Sequence, residues 1–457
     1  MGIKNRLITM SFLQFFVWGA WLITIANYWF GTKQWEGTQF GLVFGTMGIA
    51  SLFMPTLTGI IADRWINAEK LYGILHILYA AVLFSFPFVE TPTAFIYVML
   101  LAMCFYMPTI SLSNSISYTS LKLSNKDVVK DFPPIRVFGT IGFIVAMWIT
   151  NLTGNKATEY QFYIAGIAAL ILGFYAFTLP KCEPQKLTKE NATLSETLGL
   201  EAFKFFADYK MALFFIFSMF LGGALQLTNA YGDVFLDEFK PFPKYADSFV
   251  VEYSTIIMSI SQISETLFIL AIPFFLKRFG IKQVMLISML AWVLRFALFA
   301  FGDPTTGLWM IIMSCVVYGM AFDFFNISGS LFVETNTEPK NRSSAQGLFM
   351  MMTNGFGAVL GSFTSGWAID KYFTKSFSNT TELSTYLQTE PDNQLMSGFI
   401  QGQGVEITNG VFSREILMKD WHSIWISFAV YALIIAIAFA ILFKHKHKPE
   451  DFASVTH

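Results

Sequence analysis

Long apolar runs recur along the whole chain, and they constrain its fold more than any other feature. A helix that crosses the hydrocarbon core of a bilayer needs about 20 apolar residues. Twelve runs of about this length lie at 7–30, 38–62, 71–89, 93–118, 134–152, 160–180, 210–236, 248–276, 283–301, 306–333, 343–370 and 421–443. We therefore predict an all-α polytopic membrane protein with twelve transmembrane helices.

Composition supports a chain whose main solvent is the lipid bilayer. Hydrophobic residues make up 54% of the 457 residues and charged residues only 13%, against about 25% in soluble domains. The net charge of −1 gives no indication of nucleic-acid binding. Cys104, Cys182 and Cys315 form no CxxC pair, so we expect no disulfide framework, metal or cofactor.

The distribution of charge predicts two halves and an orientation. A polar linker at 181–209 separates residues 1–180 from 210–457, six apolar runs on each side. About 20 of the 30 Lys and Arg fall on one set of alternate connections and about 8 on the other. By the positive-inside rule, both termini are expected to be cytoplasmic.

The last outer connection, at about 371–420, is unusually long. Within it, "EITNGVFSRE" (406–415) predicts a hairpin with an Asn-Gly turn. The connection could act as a lid or could be a decoration without a role in transport.

The short connection after the second run contains "GIIADRWINAEK" (59–70). It resembles the G-x-L-A-D-R loop signature of the major facilitator superfamily, whose architecture consists of two six-helix halves around a central cavity. This resemblance implies a gate loop in which Gly59 allows close helix packing and Asp63 and Arg64 tie the inner gate. The alternative is an ordinary positive-inside turn.

Polar residues inside the apolar runs are the candidate functional residues, because each needs a partner or a role in hydrocarbon. In the fifth run, Arg136, Thr140 and Phe143 share one helical stripe. The guanidinium keeps its charge and could hold a carboxylate or a substrate oxygen. Alternatively, Arg136 could extend to the cytoplasmic edge, since it lies near the start of its run.

The seventh and eighth runs each carry a polar pair at i, i+3. Gln226 and Asn229 offer donors and acceptors suited to a neutral ligand, or they hold helices together. Gln262 and Glu265 place a carboxyl group deep in a run, which is either a functional acid able to carry a proton or a structural one.

The tenth run contains "YGMAFDFFNIS" (318–328). Tyr318 and Phe322 share a stripe and could hold a flat ring between them, although such stripes more often serve packing. Asp323 and Asn326 lie on the adjacent face, and their presence favours a binding role.

Five longer strings make the family recognisable. They are "SFLQFFVWGAWL" (11–22), "DFPPIRVFGTIGF" (131–143), "IIMSISQISETLFILAIPFFL" (256–276), "YGMAFDFFNISGSLFVE" (318–334) and "SAQGLFMMMTNGFG" (344–357). Over nearly the whole chain the sequence resembles the nucleoside–proton symporter family, the bacterial nucleoside permeases of the major facilitator superfamily.

This resemblance implies uptake of nucleosides such as uridine or adenosine with protons across the inner membrane, by alternating access in a monomer. The implied substrate-binding residues are Arg136, Thr140, Phe143, Gln226, Asn229, Gln262, Glu265, Tyr318 and Phe322. The resemblance implicates Asp323 in proton coupling. From the residues alone, either Asp323 or Glu265 is expected to carry the proton, and Arg136 to pair with Asp323 when that acid is ionised. The connection at 371–420 is expected to extend beyond the family pattern.

Rival functions remain open at this stage. A sugar–proton symporter or a drug–proton antiporter would share the fold. An enzyme is not expected, because the runs contain no His cluster and no Cys/His pair suited to catalysis.

Overall fold

The structure, a computed structural model, describes residues 2–126, 128–184, 200–338 and 342–445. Residues 185–199 of the predicted linker lie outside these ranges. In chain order the α-helices are α1 (Ile3–Gly19), α2 (Gly37–Arg64), α3 (Ala68–Leu83), α4 (Pro92–Leu123), α5 (Val128–Leu152), α6 (Tyr160–Ala176), α7 (Tyr209–Asp237), α8 (Phe249–Glu252), α9 (Ser254–Phe301), α10 (Leu308–Asn336), α11 (Arg342–Met350), α12 (Ala358–Tyr372), α13 (Thr380–Leu387), α14 (Gln394–Gly402) and α15 (Trp421–Leu442).

Eight of the described helices are long and apolar enough to cross a membrane, and α6 is a shorter apolar helix. Those eight are α2, α3, α4, α5, α7, α9, α10 and α15. The described residues therefore form a helical, membrane-embedded protein, as predicted from the apolar runs.

Helix α9 contains two of the predicted runs. A straight helix of its 48 residues would be about 72 Å long, more than twice the bilayer core. Gly280 interrupts it with φ 76° and ψ 169°, and Arg295, after the break, contacts Ser261, before it. The chain therefore reverses at Gly280, and segments 254–279 and 281–301 pack against each other.

Two predicted runs are not single α-helices. Helix α1 ends at Gly19, and the chain continues through turns into a π-helical segment, Asn27–Thr32. Helices α11 and α12 are joined by a second π-helical segment, Met351–Gly357. Neither segment contains a proline that would have indicated a break. π-Helical turns are rare and occur frequently at functional sites.

Contacts among the helices define two groups. Helices α1–α6, the first helix group, pack among themselves through pairs such as α1–α5 and α3–α6. The second helix group, α7–α12 with α15, does the same through α9–α10 and α9–α15. The groups meet where α2 packs on α12 and where α5 packs on α9, so these two seams frame the space between them.

The connection between α12 and α15 is a small folded unit, which we call the connection domain (residues 373–420). It contains α13, α14 and an antiparallel sheet of β1 (Thr374–Asn379), β2 (Ile407–Thr408) and β3 (Val411–Lys419) in the order β1-β3-β2. Asn409 and Gly410 have φ of 51° and 80°, the positive values that a type I′ turn requires. The predicted Asn-Gly hairpin is therefore confirmed.

An apolar core of its own stabilises the connection domain. It consists of Phe377, Leu383, Leu387, Met396, Ile400, Val405, Phe412, Ile416 and Met418. Because these side chains bury one another, the connection is a structured cap at one end of the helices. We call that end the connection end.

Candidate functional site

Three charged side chains from both helix groups meet between α5, α9 and α10. Arg136 comes from α5, Glu265 from α9 and Asp323 from α10. They lie close enough for their charges to interact pairwise. Among the described residues, however, none of them forms an ion pair within 4.0 Å. The predicted pairing of Arg136 with Asp323 is thus not a direct contact in this conformation, in which the guanidinium lies 4.0 Å from the centre of the Phe15 ring.

Gly319 explains why the acids of α9 and α10 are neighbours. A Cβ atom at this position would lie 2.6 Å from the carbonyl carbon and oxygen of Ser264 and 2.7 Å from the nitrogen of Glu265. The two backbones therefore touch here, and any side chain would separate them. The close approach places Glu265 beside the turn of α10 that carries Tyr318 and Asp323.

The site contains buried oxygens without hydrogen-bond partners. Within the described part of the chain, Gln226 Oε1, Gln262 Oε1 and Asp323 Oδ2 are buried and accept no hydrogen bond. Each such atom costs about 1–3 kcal/mol, and folded proteins retain few of them without a reason. Asn229, one turn after Gln226, is half-buried. These amides and the carboxyl group are available to a polar ligand.

The rings of Tyr318 and Phe322 are stacked on each other, with centroids 6.0 Å apart and planes 9° from parallel. That separation is within the range for rings in direct contact, 4.5–7 Å, and is shorter than the roughly 7–8 Å that two van der Waals spacings around a third ring require. The expectation that a flat ring fits between them is therefore wrong for this conformation. Phe322 is half-buried and Tyr318 is buried, so Phe322 is the more accessible of the two.

The helical stripe on α5 that carries Arg136, Thr140 and Phe143 is only partly accessible. Thr140 is half-buried. Phe143 is buried and meets Trp18 edge to face at 6.3 Å. Trp18 is not among the predicted contacts, yet its buried indole Nε1 has no hydrogen-bond partner among the described residues. The apolar string around Trp18 fits a cavity-lining residue and a packing residue equally well, so the sequence did not place Trp18 in the predicted set.

A cavity of about 40 Å³ lies beside Phe322. Its polar lining includes Asn326, Thr353 and Asn354, the last two in the π-helical segment Met351–Gly357. This volume is enough for a few water molecules, since about 10–15 Å³ of this measure holds one. Asn354 is a further polar residue near the site that the predicted set does not contain; the "TN" pair within an apolar run was the available signal.

The predicted gate loop lies at the end of α2 opposite the connection domain. A Cβ atom at Gly59 would have no other atom within 4 Å, so the expected close helix packing at Gly59 is absent from this conformation. Arg64 is the last residue of α2. The side chain of Asp63 lies outside the described parts of the structure.

At the connection end, polar contacts join the two helix groups. The Asp370 carboxylate of α12 accepts hydrogen bonds from the backbone N–H of Gly37, at 2.9 Å, and of Thr38, which begin α2. Lys156 forms an ion pair with Asp237 at 2.7 Å and donates to Ser254 at 2.7 Å.

Two further links strengthen this closure. Asn27 donates to Asp233, and Trp148 Nε1 donates to Ser259 Oγ at 2.8 Å. The structure is thus closed at the connection end.

A second cavity, of about 880 Å³, lies at the same end between the connection domain and the helix termini. Its lining includes Phe30, Trp35, Asp370, Phe399 and Lys419. Asp370 and its partners Gly37 and Thr38 also line this cavity, so the cavity borders the contacts that close the connection end.

Comparison with known proteins identifies relatives over the full chain. A family model described as nucleoside H+ symporter matches residues 1–390. Xanthosine permease of Escherichia coli (strain K12) is 47% identical over 460 residues, covering 100% of both chains. The nucleoside permease NupG of the same organism is 45% identical with the same coverage.

Solved structures agree with these matches. The crystal structure of the nucleoside transporter NupG superposes with a TM-score of 0.82 at 46% identity, covering 98% of this chain and 100% of that chain. A bacterial homolog of the human lysosomal transporter Spinster gives a TM-score of 0.65 at 12% identity, a likeness that concerns the fold alone.

The comparisons also bear on the long connection at 371–420. The full-length matches to both permeases include the connection domain, with 457 residues here spread over 460 aligned positions. The connection is therefore shared with these two relatives, whereas the family model ends within it, at residue 390.

Proposed function

Because this chain belongs to the nucleoside H+ symporter family, and is thus a transporter and not an enzyme, we propose that it imports nucleosides with protons across the bacterial inner membrane. The observation that carries this proposal is the pair of partnerless amide oxygens, Gln226 Oε1 on α7 and Gln262 Oε1 on α9, the second one helical turn before Glu265 of the charged cluster. The relatives named as nucleoside and xanthosine permeases support nucleosides over sugars or drugs as the substrate class.

A nucleoside can be placed against the predicted residues by chemistry. The base stacks on the exposed side of Phe322 and against Phe143, since any base offers a flat face. Gln226 and Asn229 exchange hydrogen bonds with the base edge. Gln262 and Glu265 bind ribose hydroxyl groups.

Residues of the first helix group complete this placement. Arg136 and Thr140 approach the nucleoside from α5, across the space between the two groups. The substrate would then contact both groups at once, and its binding can respond to their relative movement.

Substitution of Gln262 tests the placement of the ribose. We expect Gln262→Ala to raise the uridine concentration for half-maximal uptake about 3- to 10-fold, because one hydrogen bond contributes about 0.5–1.5 kcal/mol. For 2′,3′-dideoxyuridine, which lacks both hydroxyl groups, the same variant should change this concentration less than about twofold. Competition of each compound against labelled uridine in proteoliposomes measures both.

Gln346→Ala is the matched control, because Gln346 is satisfied by Ser330 and lies outside the predicted site. Equal weakening of uridine and dideoxyuridine by Gln262→Ala would exclude a ribose contact.

The proposed transport cycle is alternating access in a monomer of twelve transmembrane helices. Residues 1–180 and 210–457 form two six-helix domains joined by the linker at 181–209, and both termini are cytoplasmic. With this orientation the connection end faces outward. The contacts of Asp370 and Lys156 across the groups then belong to an inward-facing state, and the cavity of about 880 Å³ is an outer vestibule.

Loss of the Asp370 contacts should shift the protein towards an outward-open state. Each charge-assisted hydrogen bond contributes about 1.5–3 kcal/mol, so Asp370→Ala removes a large part of the closure. Ser365 on α12 is buried. A cysteine that replaces it should react with an impermeant maleimide added outside cells at least about fivefold faster in the Asp370→Ala variant than in a protein that retains Asp370. For this measurement the three native cysteines, Cys104, Cys182 and Cys315, are replaced in every variant, so that only the introduced cysteine reacts.

Asp420→Ala is the control, since Asp420 pairs with Lys375 within the connection domain and caps α15. The same labelling rate in both variants would contradict a closing role for Asp370.

The function itself is tested by uptake into proteoliposomes. Purified protein should accumulate labelled uridine when the external side is acidic. Unlabelled nucleosides should inhibit this uptake, and sugars should not. Uptake of sugars without competition by any nucleoside would overturn the proposal.

A further inference from the structure

Arg295 is a second guanidinium in the membrane-embedded helices, and it is 0% exposed. Among the described residues no carboxylate forms an ion pair with it. A buried charge without a counterion is costly unless other groups satisfy it. The predicted site does not include Arg295, so the reason for bearing this cost lies elsewhere.

The contacts of Arg295 reach three helix segments of the second helix group. Its Nη1 donates to the Ser314 carbonyl oxygen of α10 at 2.6 Å and to Ser261 Oγ of α9 at 3.4 Å. Its Nε donates to Thr228 Oγ1 of α7 at 3.4 Å. The guanidinium carbon lies 4.6 Å from the centre of the Tyr318 ring.

Every one of these segments carries predicted substrate residues. Thr228 lies between Gln226 and Asn229 in the chain, and Ser261 directly precedes Gln262. Tyr318, in turn, is the ring on which Phe322 stacks. A single side chain thus links the two polar pairs, Gln226/Asn229 and Gln262/Glu265, and the aromatic pair.

We propose that Arg295 is a positioning residue for nucleoside binding, a proposal that rests on the proposed function. Its planar fork holds the Tyr318 ring, and through it Phe322, in the orientation that a base needs, while its donors fix the turns of α7 and α9 that carry the amides. The cation lies over the ring face, which attracts positive charge. Lysine offers a point charge without the planar fork, so it would replace only part of this role.

The test compares Arg295→Gln, Arg295→Lys and Tyr318→Leu with the double variant Arg295→Gln/Tyr318→Leu, as full-length protein in proteoliposomes. Labelled uridine uptake gives the concentration for half-maximal uptake and the maximal rate per inserted protein. We expect Arg295→Gln to raise that concentration about tenfold with the maximal rate within about twofold, and Arg295→Lys to raise it less. The double variant should weaken uridine binding by less than the product of the two single effects, because part of the role of Arg295 is exerted through that ring.

Ser288→Ala is the matched control. Ser288 is buried on the same 281–301 segment and donates to the Ala321 carbonyl oxygen of α10 at 2.5 Å. The Ser288→Ala variant should leave uridine affinity unchanged. Independent, multiplicative effects of the two substitutions in the double variant would overturn the proposal. So would a loss of maximal rate at unchanged affinity.

Should Arg295→Gln fail to insert in the membrane, Arg295→Lys alone and with Tyr318→Leu provides the same comparison. Absence of uridine uptake by the unaltered protein would instead refute the proposed function, so the two failures are distinguishable.

Discussion

Asp323→Asn is expected to abolish uphill accumulation of uridine while leaving downhill exchange in place. In vesicles with an imposed pH gradient of one unit, the unaltered protein should reach about tenfold accumulation, since one proton per cycle supplies about 1.36 kcal/mol per pH unit. A membrane potential adds about 2.3 kcal/mol per 100 mV. The variant should reach an internal concentration no higher than the external one.

The physical reason is the charge balance of the cluster. One guanidinium, Arg136, interacts with two carboxyl groups, Glu265 and Asp323. A single bound proton brings the three groups to neutrality, and Asp323 Oδ2 is buried without a hydrogen-bond partner among the described residues. An amide at this position cannot take up or release the proton, so substrate movement would no longer be tied to proton movement.

Two further variants make this result decisive. Asp303→Asn is the control, because Asp303 lies in the connection between α9 and α10 and is bonded to Thr305 and Gly307 there. Glu265→Gln tests the other acid. Full pH-driven accumulation by Asp323→Asn would show that Asp323 has no coupling role, and loss only in Glu265→Gln would assign that role to Glu265.

Gly319→Ala is expected to reduce uridine uptake at least about tenfold. Its methyl group would lie 2.6 Å from the Ser264 carbonyl group, so α9 and α10 must separate. Overpacking of this kind typically costs about 1–3 kcal/mol in stability, and here it also moves Glu265 away from Tyr318 and Asp323. Uptake normalised to the protein present in the membrane measures the effect.

Gly398→Ala in α14 is the comparison, because a Cβ there meets nothing within 4 Å. It should transport like the unaltered protein. If uptake by Gly319→Ala remained within about twofold of that value, the close contact between α9 and α10 would not determine the site geometry.

Sequence reasoning could identify polar candidates because hydrocarbon leaves a polar side chain few alternatives to a partner or a ligand. This argument selected Gln226 and Gln262, whose oxygens the structure leaves buried and available. It also selected Arg136, Glu265 and Asp323 from three separate helices. Helical spacing grouped these residues by face, and their roles in transport stay predictions.

Other features could not follow from one helix at a time. The stacking of Tyr318 on Phe322 depends on side-chain rotamers as well as spacing. The partnerless indole of Trp18 and the three-segment contacts of Arg295 exist only once several helices are assembled. The π-helical turns have no proline to indicate them, so the run at 7–30 was predicted as one helix.

The connection domain begins and ends at the same point in space. The Asp420 backbone N–H donates to the Phe373 carbonyl oxygen at 2.7 Å, and Thr374 is paired with Lys419 in the sheet. A chain segment whose ends are hydrogen-bonded neighbours can be exchanged without moving α12 or α15, because closing a short gap costs little entropy. This pair of residues is therefore a natural junction for grafting, where a rigid tag for imaging or a foreign epitope could replace the domain on the transporter scaffold.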